Sequence, residues 1–242
     1  MKNILVLQHI AIEDPGYIKD LMEADGWNPF TVELDEGEAI PADLSGFDAM
    51  LCMGGPMDTC MEDEYPWLIE EKRRIHEWVV TMGKPFLGFC LGCQLLGEVL
   101  GGEVVKSEPP EIGVLDINMT AAASNDPLFA DFPATIKAVQ WHSFEVRGLE
   151  SNDGVQVLGS SGSTPCQIFK FRSSAYAMQF HIEVRSDTVM QWGCVAEYKA
   201  ALENSLGADA LAEFDRAAAE HMPEMNRLAA ELYQNFKRIV SA

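Results

Sequence analysis

Cys90 lies between two glycines, in the segment Gly88-Phe89-Cys90-Leu91-Gly92. The apolar run Pro85–Phe89 before it predicts a buried strand, and residues 91–100 after it predict a helix that begins without an intervening loop. A nucleophile held at so sharp a strand-to-helix turn forms a nucleophile elbow, here with cysteine in the place of serine. The flanking glycines leave room for close backbone contacts at the turn. The spacing therefore predicts a nucleophilic cysteine.

The predicted helix places its N-terminus at the Cys90 sulfur. Free N–H groups and the positive end of the helix dipole favour the thiolate, which is the reactive form of cysteine. Cys93, three residues after Cys90, leaves other roles open for Cys90. A Cys-x-x-Cys pair after a strand is also typical of thioredoxin-like redox proteins, and it could be half of a zinc site, although the sequence has no second such pair. A buried cysteine without a chemical role is a further alternative.

His181 and Glu183 lie two residues apart at the end of the last predicted strand. Residues at i and i+2 of a strand share a face, so Glu183 can hold one ring nitrogen of His181 and leave the other for Cys90. His181 is therefore the expected base. Three other histidines lie in segments without further candidate catalytic residues: His9, His76 and His221.

The loop Gly54-Gly55-Pro56 follows the third predicted strand. Open parallel sheets carry their sites at the C-terminal ends of strands. A backbone without Cβ atoms can approach a ligand closely and offer N–H groups to it. Together with the N–H of Leu91, this loop would form an oxyanion hole. An ordinary turn is the alternative for this segment.

The first half of the chain alternates segments typical of strands and helices. Besides the elbow, strands are predicted at Asn3–His9, Phe30–Leu34 and Asp48–Met53, and helices at Pro15–Ala24 and Pro66–Met82. Such alternation is typical of a parallel sheet with helices on both faces.

After residue 102 the pattern changes to short strands separated by turn residues. These strands are predicted at Glu103–Lys106, Ile112–Met119, Ile136–Val139, Phe144–Arg147, Val155–Ser160, Gln167–Arg172 and Ala175–Phe180. Three helices are predicted after them, at Asp187–Leu202, Ala208–His221 and Glu224–Ile239. The predicted fold is α/β: an open, mostly parallel sheet flanked by helices, with an antiparallel β-hairpin region and C-terminal helices. We expect residues 1–186 to form one domain, and residues 187–242 to be a helical extension of that domain.

Composition narrows the classes of function. The chain has 242 residues, with 17 Lys and Arg against 38 Asp and Glu, a formal charge of −21. This charge argues against nucleic acid or an anionic membrane as a partner. The six cysteines are scattered without a short-spaced framework, which favours reduced thiols. The N-terminal apolar run is too short for a signal peptide or a membrane span, so we expect a cytoplasmic protein.

The three motifs together resemble the class I (triad) glutamine amidotransferases. They are Gly54-Gly55-Pro56, the elbow from Gly88 to Leu96, and Gln179-Phe180-His181-Ile182-Glu183. The resemblance covers residues 45–185 and the first strand. Within that family the chain resembles stand-alone proteins similar to the amidotransferase domain of GMP synthase, and the segment Asp63–Leu68 supports that subgroup.

The resemblance implies a role for each matching residue. Cys90 would be the nucleophile, His181 the general base and acid, and Glu183 the carboxylate that orients the histidine. The backbone of Gly55 and Leu91 would bind the oxyanion. Four residues would contact the substrate: Gly54, Gln94, Ser143 and Phe144. His142, beside the last two, would then not be the base. The chain departs from the family at Ile182, where proline is usual, and at Cys93, where histidine or alanine is common; we interpret Cys93 as a packing residue.

The resemblance implies hydrolysis of a glutamine-type γ-amide through a γ-glutamyl thioester, with no cofactor and no metal. GMP synthase also carries a domain with a glycine-rich ATP loop, which this sequence lacks. Two functions are thus open: a stand-alone hydrolase of γ-glutamyl compounds, which we favour and which could be a homodimer, and the ammonia-supplying subunit of a two-chain synthetase. A Cys-x-x-Cys redox protein is the alternative from another class.

Overall fold

A computed structural model describes residues 2–242. The first half contains β1 (Asn3–Gln8), α1 (Gly16–Ala24), β2 (Asn28–Glu33), β3 (Ala49–Cys52), α2 (Trp67–His76), β4 (Phe86–Phe89) and α3 (Leu91–Val99). The second half contains β5 (Glu103–Met119), β6 (Thr135–Arg147), β7 (Val155–Ser160), β8 (Ile168–Phe171), β9 (Ala175–Met178), α4 (Thr188–Trp192), α5 (Ala196–Leu206) and α6 (Ala210–Ser241).

The described strands form one nine-stranded sheet in the order β2-β1-β3-β4-β9-β8-β7-β5-β6. Strands β2, β1, β3, β4 and β9 run parallel to one another. The remaining strands extend the same sheet with antiparallel pairings. This architecture confirms the predicted α/β class and its antiparallel region.

The far end of the sheet curls back toward its parallel half. Val139 of β6 and His181, just after β9, exchange backbone hydrogen bonds of 2.9 and 3.0 Å. Strand β9 itself ends at Met178, earlier than predicted. The backbone at His181 is therefore fixed by β6, a strand distant from it along the sheet.

The two faces of the sheet are covered by different helices. Side chains alternate along β1, so that Ile4 and Val6 belong to one core and Leu5 and Leu7 to the other. The first core includes residues of α1 and α6, and the second includes residues of α2 and α3. A parallel strand covered on both faces is apolar at nearly every position, as the sequence of β1 is.

Several predicted boundaries in the second half were wrong. The segments predicted as four short strands from residue 103 to 147 form two long strands, β5 and β6. The pairing of β5 with β6 shifts register between Lys106 and Glu111, around Pro109 and Pro110. The sequence suggests a break there because proline cannot donate a ladder hydrogen bond. The strand instead passes the prolines with a local irregularity.

The C-terminal helices also differ from the prediction. The helix predicted at 187–202 is two helices, α4 and α5, and the two predicted after residue 208 are one helix with Pro223 inside it. Phe214 before the proline and Leu228 after it are buried in the same core, so packing holds one continuous helix across a residue that breaks helices in isolation. The division of the chain at residue 186 stays a prediction.

Two smaller observations complete the fold. Helix α2 is followed by a π-helical turn, Glu77–Thr81, within the single helix predicted to reach Met82. In residues 2–242, no helix is long and apolar enough to cross a membrane.

Candidate active site

Cys90 has a conformation that non-glycine residues rarely adopt. Its φ is 49° and its ψ is −103°, at the first turn of α3, and its side chain is 6% exposed. The flanking glycines permit this turn, because a Cβ on Gly88 would lie 2.6 Å from the Gly92 oxygen and a Cβ on Gly92 would lie 2.1 Å from the Cys52 oxygen. The Cys90 N–H donates to the Met178 oxygen at 2.9 Å. The predicted elbow is thus present, with strain of a kind that clusters at functional sites.

His181 and Glu183 form a buried pair. The Nδ1 atom of His181 lies 2.5 Å from Oε1 of Glu183, and the second oxygen of Glu183 accepts the Ile182 N–H at 2.9 Å. Both side chains are almost fully enclosed. This contact fixes the ring orientation and leaves Nε2 of His181 free of Glu183.

The environment of His181 favours its charged form. Burial alone lowers its pKa, but the charge of Glu183 and hydrogen bonds with Cys90 and Glu183 outweigh burial and raise the pKa of His181 well above its ordinary value. The raised pKa favours the imidazolium form of His181 beside Cys90. Such a neighbour stabilises a thiolate.

Gln179 is a contact of Cys90 to which sequence reasoning gave no role. Its side-chain nitrogen lies 3.6 Å from the Cys90 sulfur, and its oxygen accepts a 3.2 Å hydrogen bond from Gln94. Gln94 also donates to the Phe144 oxygen at 3.2 Å. The signal was available, since Gln179 precedes His181 by two residues and so shares its face if the strand continues.

The loop after β3 faces Cys90. Gly55 and Cys90 line the same cavity, and the backbone N–H groups of Gly55 and Leu91 have no hydrogen-bond partner within residues 2–242. A Cβ on Gly55 would lie 2.8 Å from Cβ of His9 and 3.1 Å from Cδ2 of Leu91. The cavity thus has two backbone N–H groups without a partner in the described residues, and their role as an oxyanion hole stays a prediction.

His9 is closer to this site than its sequence context suggested. It follows β1, is fully buried, and contacts the Gly54 oxygen through Nδ1 at 2.9 Å. Its Nε2 contacts Oε1 of Glu71 at 2.9 Å. The sequence offered no signal for this contact, because the three residues lie on separate segments.

One group in the described residues has the composition of a metal site. The ligand-type atoms of His9, Cys52 and Glu71 lie within 4.8 Å of one another, and all three side chains are buried. Burial and then the charge of Glu71 raise the pKa of the Cys52 thiol well above its ordinary value. The protonated thiol donates to Oε1 of Glu71 at 3.3 Å, so hydrogen bonds account for the proximity of these groups.

The cavity at Cys90 has a volume of about 310 Å³. Its walls include the predicted substrate residues Gln94, Ser143 and Phe144, and also His142. His142 is engaged elsewhere, since Nδ1 donates to the Phe144 oxygen at 2.9 Å and Nε2 lies 3.2 Å from Glu111. A larger cavity, of about 470 Å³, lies near the start of α6 and has none of the candidate catalytic side chains in its walls.

Helix α5 forms one wall of the cavity at Cys90. Glu197, Tyr198 and Ala201 line it. The Tyr198 hydroxyl donates to Oε1 of Glu13 at 2.5 Å, and both groups are buried. Burial is the main cause that raises the pKa of Glu13, and the charge of Glu183 raises it further. Residues 187–242 therefore contribute directly to the candidate site, which sequence reasoning did not predict.

Cys93 lies in an environment unlike that of Cys90. It is fully buried, and burial together with Cys166 and Cys90 raises its pKa well above the ordinary value for a thiol. It forms no disulfide. These features support the interpretation of Cys93 as a packing residue and argue against an accessible dithiol pair.

The fold and the site together define a class of protein. It is an α/β protein in which a cysteine at a strand-to-helix turn, a histidine and a glutamate converge at the ends of parallel strands. Residues 26–191 match the family described as glutamine amidotransferase class-I. The chain belongs to this family, as the resemblance of its motifs indicated.

Named relatives agree with this assignment. The glutamine amidotransferase-like protein YfeJ of Salmonella typhimurium is 31% identical over 183 residues, which are 75% of each chain. A glutamine-hydrolyzing GMP synthase subunit of Sulfolobus acidocaldarius is 31% identical over 59% of this chain and 71% of its own.

Solved structures resemble the whole chain. A glutamine amidotransferase from Thermotoga maritima has a TM-score of 0.86 and 27% identity, covering 100% of this chain and 99% of its own. One from Methylobacillus flagellatus has a TM-score of 0.86 and covers 98% of this chain and 95% of its own; at 23% identity it shows the fold alone.

Proposed function

We propose that this protein hydrolyses the γ-amide of glutamine or of a γ-glutamyl compound through a γ-glutamyl thioester on Cys90. One observation carries the proposal: Cys90, held at positive φ at the start of α3, lies beside the imidazole of the buried His181–Glu183 pair. Cysteine is a strong nucleophile when a neighbouring base or cation favours its thiolate.

The first half of the reaction forms the thioester. The Cys90 thiolate attacks the γ-carbonyl carbon, and the carbonyl oxygen becomes an oxyanion that the N–H groups of Gly55 and Leu91 stabilise. When the tetrahedral intermediate collapses, the C–N bond breaks and protonated His181 donates its proton to the leaving ammonia or amine. Glu183 remains ionised and stabilises the imidazolium before that transfer.

The second half releases the acid. Neutral His181 takes a proton from a water molecule, which attacks the thioester carbon through the same oxyanion geometry. The C–S bond breaks, glutamate leaves, and the thiolate–imidazolium pair is restored. Gln179 supports this state, because its amide N–H points at the sulfur.

The amino-acid end of the substrate would contact the opposite wall of the cavity. Gln94 is fixed by Gln179 and the Phe144 oxygen, and Ser143 and Phe144 line the same cavity. Gly54 would contribute backbone beside the oxyanion hole. A Cβ at Gly54 would lie 2.5 Å from Oε2 of Glu13, so only glycine fits there without displacing that carboxylate.

We favour a stand-alone hydrolase over a synthetase subunit. The observation that supports this choice is α5, because Glu197, Tyr198 and Ala201 of the chain itself wall the cavity. A protein that passes ammonia to a partner would more readily leave this face to the partner. The alternative, an ammonia-supplying role in a two-chain synthetase, is favoured by the relatives that are subunits of glutamine-hydrolyzing GMP synthase.

A substrate screen tests the proposal. Purified protein is incubated with glutamine and a series of γ-glutamyl amides, and release of ammonia or amine is measured. We expect turnover of at least one compound by the isolated chain, and none by Cys90→Ser. Activity that appears only in a larger complex, with a nucleotide-activating protein co-purifying, would favour the synthetase role. Turnover that persists in Cys90→Ser would contradict the mechanism.

A further inference from the structure

A further buried histidine–glutamate pair lies behind the candidate oxyanion hole. His9 contacts the Gly54 oxygen through Nδ1 at 2.9 Å and Oε1 of Glu71 through Nε2 at 2.9 Å. Both side chains are 0% exposed. Neither belongs to the machinery proposed above, so this enclosed pair needs its own explanation.

Both ring nitrogens of His9 face oxygen acceptors. A carbonyl oxygen can only accept, so Nδ1 carries a proton and donates it to Gly54. When Glu71 is ionised, Nε2 donates as well, and the ring is an imidazolium. Cys52 donates to the same Glu71 oxygen at 3.3 Å. The direction of the hydrogen bonds thus runs from His9 toward both the peptide and the carboxylate.

We infer that His9 is a positioning residue that fixes the Gly54–Gly55 peptide so that its N–H points at the oxyanion; this inference rests on the proposed function. In a planar trans peptide the C=O of one residue and the N–H of the next point in opposite directions. A histidine that holds the Gly54 oxygen on the buried side therefore turns the Gly55 N–H toward the cavity that Gly55 and Cys90 share. A charged donor on the C=O also polarises the peptide and strengthens its N–H as a donor.

Packing holds His9 in this orientation. Its ring stacks on Trp67 of α2, with centroids 5.6 Å apart and planes inclined by 28°. Its Cβ lies 2.8 Å from the position that a Cβ on Gly55 would take. The stacked ring and its contact with the Gly54 oxygen hold the loop in place while the ring is present. Loss of the ring would free the peptide to rotate.

Two substitutions at His9 separate positioning from folding. His9→Ala removes the donor, whereas His9→Asn keeps an N–H donor near the place of Nδ1. Removing an oxyanion donor outright costs about 10²–10³ in kcat, so we expect about a tenfold to hundredfold lower kcat for His9→Ala with KM changed by less than about threefold. His9→Asn should recover part of this loss. Leu232→Ala, which opens a cavity in the core under α6, serves as the control for loss of stability and should keep kcat near that of the wild type.

Alkylation of Cys90 by iodoacetamide supplies the decisive comparison. This reaction needs the thiolate but develops no oxyanion, so its rate should be the same in wild type and His9→Ala. Equal losses in alkylation and turnover would overturn the inference, because His9 would then act through the thiolate or the fold. An unchanged kcat in His9→Ala would overturn this inference but leave the proposed function standing. A wild-type chain that hydrolyses no γ-glutamyl amide would overturn both.

Discussion

Residues 2–242 contain three buried histidine–glutamate pairs, and two of them, His181–Glu183 and His9–Glu71, differ in what the second ring nitrogen meets. In His181–Glu183 the partners are two residues apart, and the ring lies beside the Cys90 thiol. In His9–Glu71 the partners are 62 residues apart, and the ring contacts a backbone carbonyl. In both pairs burial lowers the pKa of the histidine, but the charge and hydrogen bond of the glutamate outweigh burial and raise that pKa.

In the roles proposed above, the histidine–glutamate pair by itself does not determine what the histidine does. A carboxylate favours the charged ring in either place. Beside a thiol, that ring can exchange a proton with the reacting atoms. Beside the Gly54 oxygen, the role proposed for the ring is to hold and polarise a peptide. The predictions below test this division of roles.

The largest effect is expected at the thiol that distinguishes the first pair. Cys90→Ser should reduce turnover by about 10⁴-fold or more while the protein still folds, since a hydroxyl beside an imidazolium gives far less nucleophilic anion than a thiol. Steady-state kinetics and circular dichroism check this. Cys93→Ala is the matched control and should retain activity. A comparable loss in Cys93→Ala would restore the dithiol alternative.

Within the first pair, we expect losses that do not add. His181→Ala should lower kcat by about 10⁴-fold. The loss in Glu183→Gln should be smaller than this by a factor of about ten to a hundred, because the carboxylate acts through the histidine. The double variant should be no worse than His181→Ala. Kinetics of the three variants decide the matter. Additive losses would show that the two residues act independently.

A substitution in the loop Gly54-Gly55-Pro56 can also break the contact between this loop and His9. Gly55→Ala would place a Cβ 2.8 Å from His9 and 3.1 Å from Leu91, so the peptide must move. We expect kcat to fall by about 10²-fold, as when an oxyanion donor is lost. Gly46→Ala is the control, since a Cβ there meets no atom within 4 Å. Gly55→Ala with wild-type kcat would remove this loop from the oxyanion hole.

The charge of the second pair should appear in the pH dependence of stability. The groups facing His9 are Glu71, Cys52 and Glu13. Since the folded pKa of His9 is raised, the ion pair stabilises the fold below the unfolded pKa of about 6.5 and loses this contribution as pH rises through the folded pKa. Glu71→Gln removes the main cause that raises the pKa, so its stability deficit should shrink as pH rises.

Urea unfolding of the wild type and Glu71→Gln between about pH 5.5 and 8.5, on either side of the ordinary histidine pKa, measures that deficit. Groups common to both proteins cancel in the difference. A deficit that grows with pH would mean that His9 is neutral in the folded protein, and the comparison between the two pairs would lose its electrostatic part.

The smallest effect is expected at the wall formed by α5. Tyr198→Phe removes the hydroxyl that donates to Glu13. A typical hydrogen bond contributes about 0.5–1.5 kcal/mol, so kcat/KM should fall by only about twofold to tenfold. Tyr233→Phe, in α6 outside the cavity, is the matched control. An unchanged kcat/KM in Tyr198→Phe would show that this contact is structural and does not shape the site.

The sequence by itself determined the parts of the site that depend on neighbours in the chain. The glycines around Cys90 specify the turn because they remove the Cβ atoms that would clash there. The spacing of His181 and Glu183 placed both on one side of the chain, although β9 ends before them. The apolar run Ile4–Leu7 is likewise typical of a strand covered on both faces, as β1 is.

Only the tertiary structure decided which distant residues meet. Glu71 reaches His9 because α2 packs on the face of the sheet beside β1, and Tyr198 reaches Glu13 across 185 residues. Strand β6 fixes the backbone of His181 because the sheet curls. Pro223 lies within a continuous helix because both of its flanks are buried in one core. These contacts depend on how the helices pack on the sheet. The spacing of residues along the chain does not specify that packing, because burial against a distant element overrides local conformational preference.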